Sequence, residues 1–137
     1  MRRGEVRLVE FGPARGSEAA KLRPAVIVSN DAANATVSRL GRGVVTVAPI
    51  TSNLRRVLDF QVRLSTGEAG LDRDSKVQAE QIRAVAVERV GRLLGPLSAP
   101  ALRELDDALR LHLALEEASL SRRARSGGAG TRGATRG

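Results

Sequence analysis

Residues 24–29 read Pro-Ala-Val-Ile-Val-Ser, and residues 43–50 read Gly-Val-Val-Thr-Val-Ala-Pro-Ile. Both are apolar on consecutive positions, short and rich in β-branched side chains. An amphipathic helix would space its apolar residues three and four apart, and a half-buried strand would alternate them. Unbroken runs of this length predict strands buried on both faces. Pro49 lacks an N–H donor, so the expectation is that it ends its strand or lies at an edge.

Working outward, Val6–Phe11 (VRLVEF) is a short β-prone run, and Gly12 to Ser17 punctuate it as a loop. Asn30 to Asn34 suit a turn or the start of a short helix, because Asn and Asp cap helices well. Phe60, Val62 and Leu64 alternate with Gln61, Arg63 and Ser65, the pattern of a half-buried strand closed by Thr66-Gly67. Residues 77–87 have mixed extended character, and Gly91 to Leu97 form a last short strand. Asp72 and Asp74 flank Arg73 in what reads as a solvated turn. The period then changes. Ser98 is a good N-cap, Pro100 is tolerated in a first turn, and Leu102, Leu105, Leu109, Leu113 and Leu120 follow helical spacing. A helix is predicted from about Ala99 to about Ala118, with His112 on it as a structural residue. Five or more short strands and one terminal helix predict a mainly β fold, a small and strongly curved barrel. No internal repeat is visible.

The 137 residues carry 23 Lys+Arg against 15 Asp+Glu, for a net charge of +8. That length suits one domain, assigned to residues 1–121. Residues 122–137, RRARSGGAGTRGATRG, contribute five Arg and no acid, which leaves a net of +3 for the domain. A segment so poor in apolar residues cannot offset its ordering entropy and is expected to be disordered. It reads as a solubilising extension or a non-specific nucleic-acid tether. There is no Cys and one His, so disulfide scaffolds, thiolate nucleophiles, zinc ribbons and histidine-rich metal sites are excluded. No apolar stretch follows Arg2-Arg3, and no run of about 18 apolar residues occurs, so neither a secretory signal nor a membrane span is expected. The expected location is the cytoplasm.

The glycines form no dinucleotide or phosphate-binding loop, and the acids do not cluster as metal ligands. What remains is polar residues at strand ends: Ser17, Glu18, Lys21 and Arg23 before one strand, Thr51, Ser52 and Asn53 after another, and Glu80 and Gln81 inside an apolar stretch. In a curved sheet such ends can converge on one rim. An Arg, a Thr hydroxyl and a carboxylate together would hold a phosphodiester and stabilise the charge of its pentacoordinate transition state without a metal. Spacing alone favours an ordinary scatter of surface polar residues over such a site.

The stretches RRGEVRLVEFGPARGSEAAKLRPAVIVSNDAAN (2–34), VVTVAPITSN (44–53), DSKVQAEQIRAV (74–85) and RVGRL (89–93) resemble the MazF/PemK family of toxins, in family order, from about Arg3 to about Leu115. The arginine bias resembles the actinobacterial branch. The resemblance implies an SH3-like β-barrel with a C-terminal helix, as in CcdB and MazF proteins, and a homodimer. It implies metal-independent, cofactor-free cleavage of single-stranded RNA, in which the ribose 2′-OH attacks the adjacent phosphate. It also implies a cognate antitoxin whose C-terminal segment occludes the groove. Carried over by motif, the catalytic residues are Arg23 in KLRP, Thr51 in PITS and Glu18 in GSE. Lys21, Ser52, Asn53, Arg55, Arg56, Gln78, Glu80 and Gln81 are the implied RNA-binding set. One branch of the family has an Arg where this chain has Gln78, so that branch's acid–base scheme does not transfer intact. Arg23, with a guanidinium pKa above about 12, suits phosphate binding better than proton abstraction. Family members carry aromatics in the first strand, where this chain has Arg7. Stacking on bases must therefore come from Phe11, Phe60 or arginine planes. Two alternatives share the fold: a non-catalytic module that binds RNA or antitoxin, and a gyrase-poison-like toxin.

Overall fold

The computed structural model describes residues 1–12 and 21–116. The expected disordered tail and the candidate Glu18 lie outside these residues.

Seven strands form one antiparallel sheet: β1 (Glu5–Glu10), β2 (Leu22–Ile27), β3 (Val44–Thr51), β4 (Gln61–Leu64), β5 (Ser75–Gln78), β6 (Arg83–Ala86) and β7 (Val90–Pro96). Helix α1 (Asp31–Leu40) joins β2 to β3, and α2 (Ala99–Leu113) follows β7. The strand order is β4-β5-β3-β2-β1-β7, with β6 also paired to β3. The sheet is strongly curved, as expected, but no pairing among the described residues closes it into a complete barrel. Curvature enters at β7. Its register against β1 shifts between Val6 and Arg7 and again between Arg7 and Val9, and each such irregularity bends and twists the strand.

The two consecutive apolar runs are buried on both sides, as expected. Ala25, Val26, Ile27, Val47 and Ala48 are fully inaccessible. Val26, Ala48 and Ile50 join Val62, Val77, Leu105 and Leu109 in a core under α2. Ala25, Ile27, Val45, Val47 and Val85 form a second cluster on the opposite face, with Val37 of α1 against it. Burial of this kind stabilises by about 25 cal/mol per Å² of apolar surface.

Pro49 corrects one expectation. It lies inside β3, opposite Ala25 of β2, and is buried. The N–H of Val28 donates to the Thr46 carbonyl at 2.9 Å. That turns the backbone groups of Thr46, Ala48 and Ile50 toward β2, and those of Pro49 the other way. On that side β3 pairs with β6 over Val44–Val47 and with β5 over Ile50–Thr51. Pro49 thus occupies the gap between two partners, where no donor is needed. The stretch after β5 also resolves differently from a continuous extended segment. A 3-10 turn over Ala79–Gln81 separates β5 from β6, and another over Val87–Arg89 leads into β7.

Asn30 caps α1 by accepting the Ala33 N–H at 2.8 Å, and Ser98 caps α2 by accepting the Ala101 N–H at 3.2 Å. The predicted end of α2 near Ala118 is too late. The helix stops at Leu113, with Ala114 in the left-handed conformation (φ 56°). Leu105 and Leu109 dock on the sheet, whereas Leu111, Leu113 and Leu115 are exposed; the apolar spacing outruns the surface available to receive it. His112 is exposed, with its ring 6.1 Å from Phe60.

The 65–74 turn is held by Asp74, which accepts both the O–H and the N–H of Thr66 at 2.8 Å. These bonds, with Arg63 beside them, hold the Asp74 carboxyl below the usual carboxylate range. Asp72 and Arg73 are solvated, as expected.

Candidate active site

The β2–β3 ladder ends at Ala25–Pro49. Arg23 and Thr51 each lie two positions beyond that last pair, Arg23 in β2 and Thr51 at the end of β3. Both belong to the face that carries Ala25, Ile27 and Val47, because side chains alternate along a strand. Arg23 therefore lies within β2 and is exposed, with Val9 of β1 as its other neighbour. On its far side Thr51 pairs with Lys76 of β5. Thr51 and Lys76 are thus paired across β3 and β5, and Arg23 and Val9 across β2 and β1.

The Thr51 side chain is already oriented. Its Oγ1 accepts the Asn53 N–H at 3.2 Å, and Asn53 Oδ1 in turn accepts the Arg55 N–H at 3.2 Å. These two short-range bonds fold the chain sharply away from β3. A hydroxyl that accepts on one side keeps its own proton free to donate. Ser52, Asn53, Arg55 and Arg56 are exposed on the same loop.

Lys76 is a residue that sequence reasoning missed. It is buried, and its Nζ donates to the Arg56 carbonyl. Lys76 thus ties the middle of the β3–β4 loop over the row it shares with Thr51. The end of that loop is fixed by Gln61, whose Oε1 accepts the Leu58 N–H at 2.9 Å and whose Nε2 donates to Glu80 Oε2 at 2.9 Å. Gln78 is the cross-strand partner of Gln61. Gln61 and Gln78 lie opposite Val62 and Val77, on the Thr51 face. Glu80 reaches that face through Gln61, and its second oxygen, Oε1, is buried with no partner among the described residues. A buried carboxylate oxygen with nothing donating to it is an open acceptor. Gln81 is exposed in the 79–81 turn. Lys21 is exposed immediately before β2.

The structure therefore joins Thr51 and Asn53 at the end of β3 with Ser52 between them, places Arg23 on the same face of β2, and links Glu80 through Gln61 to the end of the β3–β4 loop. Arg55 and Arg56 lie on the loop itself. Among the described residues no three His, Asp or Glu side chains gather to hold a metal ion. Arg7 binds Glu5 and the Gly91 carbonyl, and Phe60 faces His112 at the end of α2.

Comparison with known proteins gives the chain its family. Residues 2–113 match the family described as PemK-like, MazF-like toxin of type II toxin–antitoxin system. The chain is 60% identical over 115 residues to "Endoribonuclease MazF9" of Mycobacterium tuberculosis, covering 84% of this chain and 98% of that protein. Its fold is similar to that of the Mycobacterium tuberculosis toxin MazF-mt6 (TM-score 0.65, 26% identity, 82% of this chain and 98% of that one). It is likewise similar to that of a mycobacterial endoribonuclease solved with its cognate antitoxin (TM-score 0.68, 22% identity, 85% and 97%). The chain belongs to the PemK-like, MazF-like toxins of type II toxin–antitoxin systems.

Proposed function

We propose that the chain is a metal-independent endoribonuclease that cuts single-stranded RNA, and that Arg23 and Thr51 bind the scissile phosphate. What supports this reading is that Arg23 is exposed on β2 and Thr51, with a hydroxyl proton free to donate, ends β3, both on the face that carries Ala25, Ile27 and Val47. In the reaction the ribose 2′-oxygen bonds to phosphorus, the P–O5′ bond breaks, and the products are a 2′,3′-cyclic phosphate and a 5′-OH. The 2′-OH proton leaves to a base, and the 5′-oxygen takes one up. Negative charge builds on the non-bridging oxygens. Arg23 neutralises it as a fork of N–H donors, and Thr51 donates one further hydrogen bond. Glu18, by family position, is the carboxylate offered as proton acceptor.

Lys21, Arg55 and Arg56 are exposed cations suited to flanking phosphates, and Ser52 and Asn53 to a neighbouring base. The partners are a cognate antitoxin and a second copy of the chain. No helix of the described residues is long and apolar enough to cross a membrane, and the proposed location is the cytoplasm. The Arg/Gly segment 122–137 would add non-specific affinity for RNA.

Incubation with a long single-stranded RNA in excess EDTA tests the reading. Discrete fragments are expected. Intact RNA that is nonetheless bound would identify a non-catalytic module. Intact RNA with cleaved gyrase–DNA complexes would identify a gyrase poison.

A further inference from the structure

Arg83 opens β6 opposite Val47, and Val85, two residues on, is buried in the cluster with Ala25 and Ile27. Strand alternation puts Arg83 on that same face. Phe11 follows β1, whose Val9 belongs to the same cluster, and Phe11 itself packs against it. The Phe11 N–H donates to the Lys21 carbonyl at 3.0 Å, which holds its backbone beside the start of the strand that carries Arg23. The guanidinium carbon of Arg83 lies 5.3 Å from the centre of the Phe11 ring. β1 and β6 are not neighbours in the sheet. The contact therefore spans this face, from Arg83 opposite Val47 to Phe11 just beyond Val9, the cross-strand partner of Arg23.

The chemistry of the pair is specific. Arg83 is exposed, and no carboxylate pairs with it among the described residues. An unpaired surface arginine ordinarily samples many rotamers. Here one face of its plane rests on an aromatic ring, which restricts it. The opposite face is a flat cationic surface, and it suits a second π-system. The chain has no Trp and no Tyr, and Phe60 and Arg7 are engaged elsewhere. Phe11 and Arg83 thus form the π surface of this face among the described residues.

The geometry points to Arg83 as a substrate-contacting residue that stacks one nucleobase beside the scissile phosphate, in a base–Arg83–Phe11 sandwich. This rests on the endoribonuclease reading above. A stack recognises the face of a base rather than its edge, so Arg83 contributes affinity for any base and only a weak preference among them.

The test uses the full chain and a 2′-O-methyl oligoribonucleotide spanning a cut site mapped with the wild type. Matched oligonucleotides carry one abasic residue at each flanking position in turn. One abasic position is expected to weaken wild-type binding about tenfold. Arg83→Ala and Arg83→Lys should both bind the intact oligonucleotide about tenfold more weakly and lose that abasic penalty, because lysine keeps the charge but not the plane. Phe11→Leu, which keeps the apolar contact and removes the ring, should fall in the same direction. Wild-type affinity in Arg83→Lys, or an abasic penalty that survives in Arg83→Ala, overturns the stack while leaving cleavage in place. A wild-type protein that neither cuts nor binds the RNA overturns both readings.

Discussion

Arg23→Ala is expected to slow RNA cleavage at least about a hundredfold, the scale seen when one donor to a developing oxyanion is removed. Arg23 is exposed on β2, and no described side chain depends on it, so melting temperature and circular dichroism should match the wild type. A surface substitution of this kind changes stability by no more than about 0.5 kcal/mol. Thr51→Ser keeps the hydroxyl and should cost far less than Arg23→Ala. The contrast separates charge neutralisation from a generic loss of strand order. An Arg23→Ala protein that cuts a reporter RNA at the wild-type rate would remove the guanidinium from the mechanism.

The largest stability effect is expected at Gly70. Its φ is +75°, and a Cβ there would stand 2.2 Å from the Leu94 carbonyl oxygen. The 68–70 turn lies directly against the β7 backbone, so no flexible side chain can yield. Gly70→Ala combines left-handed strain of about 1–3 kcal/mol with a backbone collision that must move β7. Since domains are stable by only about 5–15 kcal/mol, a drop of at least about 10 °C in Tm is expected. Gly67→Ala is the control. Its φ is +95°, but a Cβ there meets nothing within 4 Å, so it carries the strain alone. Equal melting temperatures for the two variants would contradict the close approach of turn and strand.

The core strands were legible because their apolar runs are local. Ala25 to Ile27 and Val45 to Val47 declare two-sided burial without knowledge of their neighbours. Pro49 was misread because its meaning depends on where β6 stops and β5 begins, which no window around residue 49 contains. The end of α2 was misread because Leu113 and Leu120 continue a periodic pattern that the sheet surface does not. Arg23 and Thr51 stood out by position at strand ends and by family resemblance, but their shared face is a property of the register. Lys76 left no local signal. Its burial results from a loop 20 residues earlier whose Arg56 carbonyl it holds. Arg83 was recoverable in principle from its alternation with Val85, but the Phe11 contact joins positions 72 residues apart.

The most direct measurement is of the ends that cleavage creates. RNA cut by the wild-type chain in EDTA should yield fragments whose 5′ ends accept phosphate from polynucleotide kinase without prior dephosphorylation. Their 3′ ends should carry 2′,3′-cyclic phosphate. Fragments with 5′-phosphate and free 3′-OH ends, or cleavage that stops when divalent ions are removed, would contradict 2′-OH attack at an Arg23–Thr51 phosphate site.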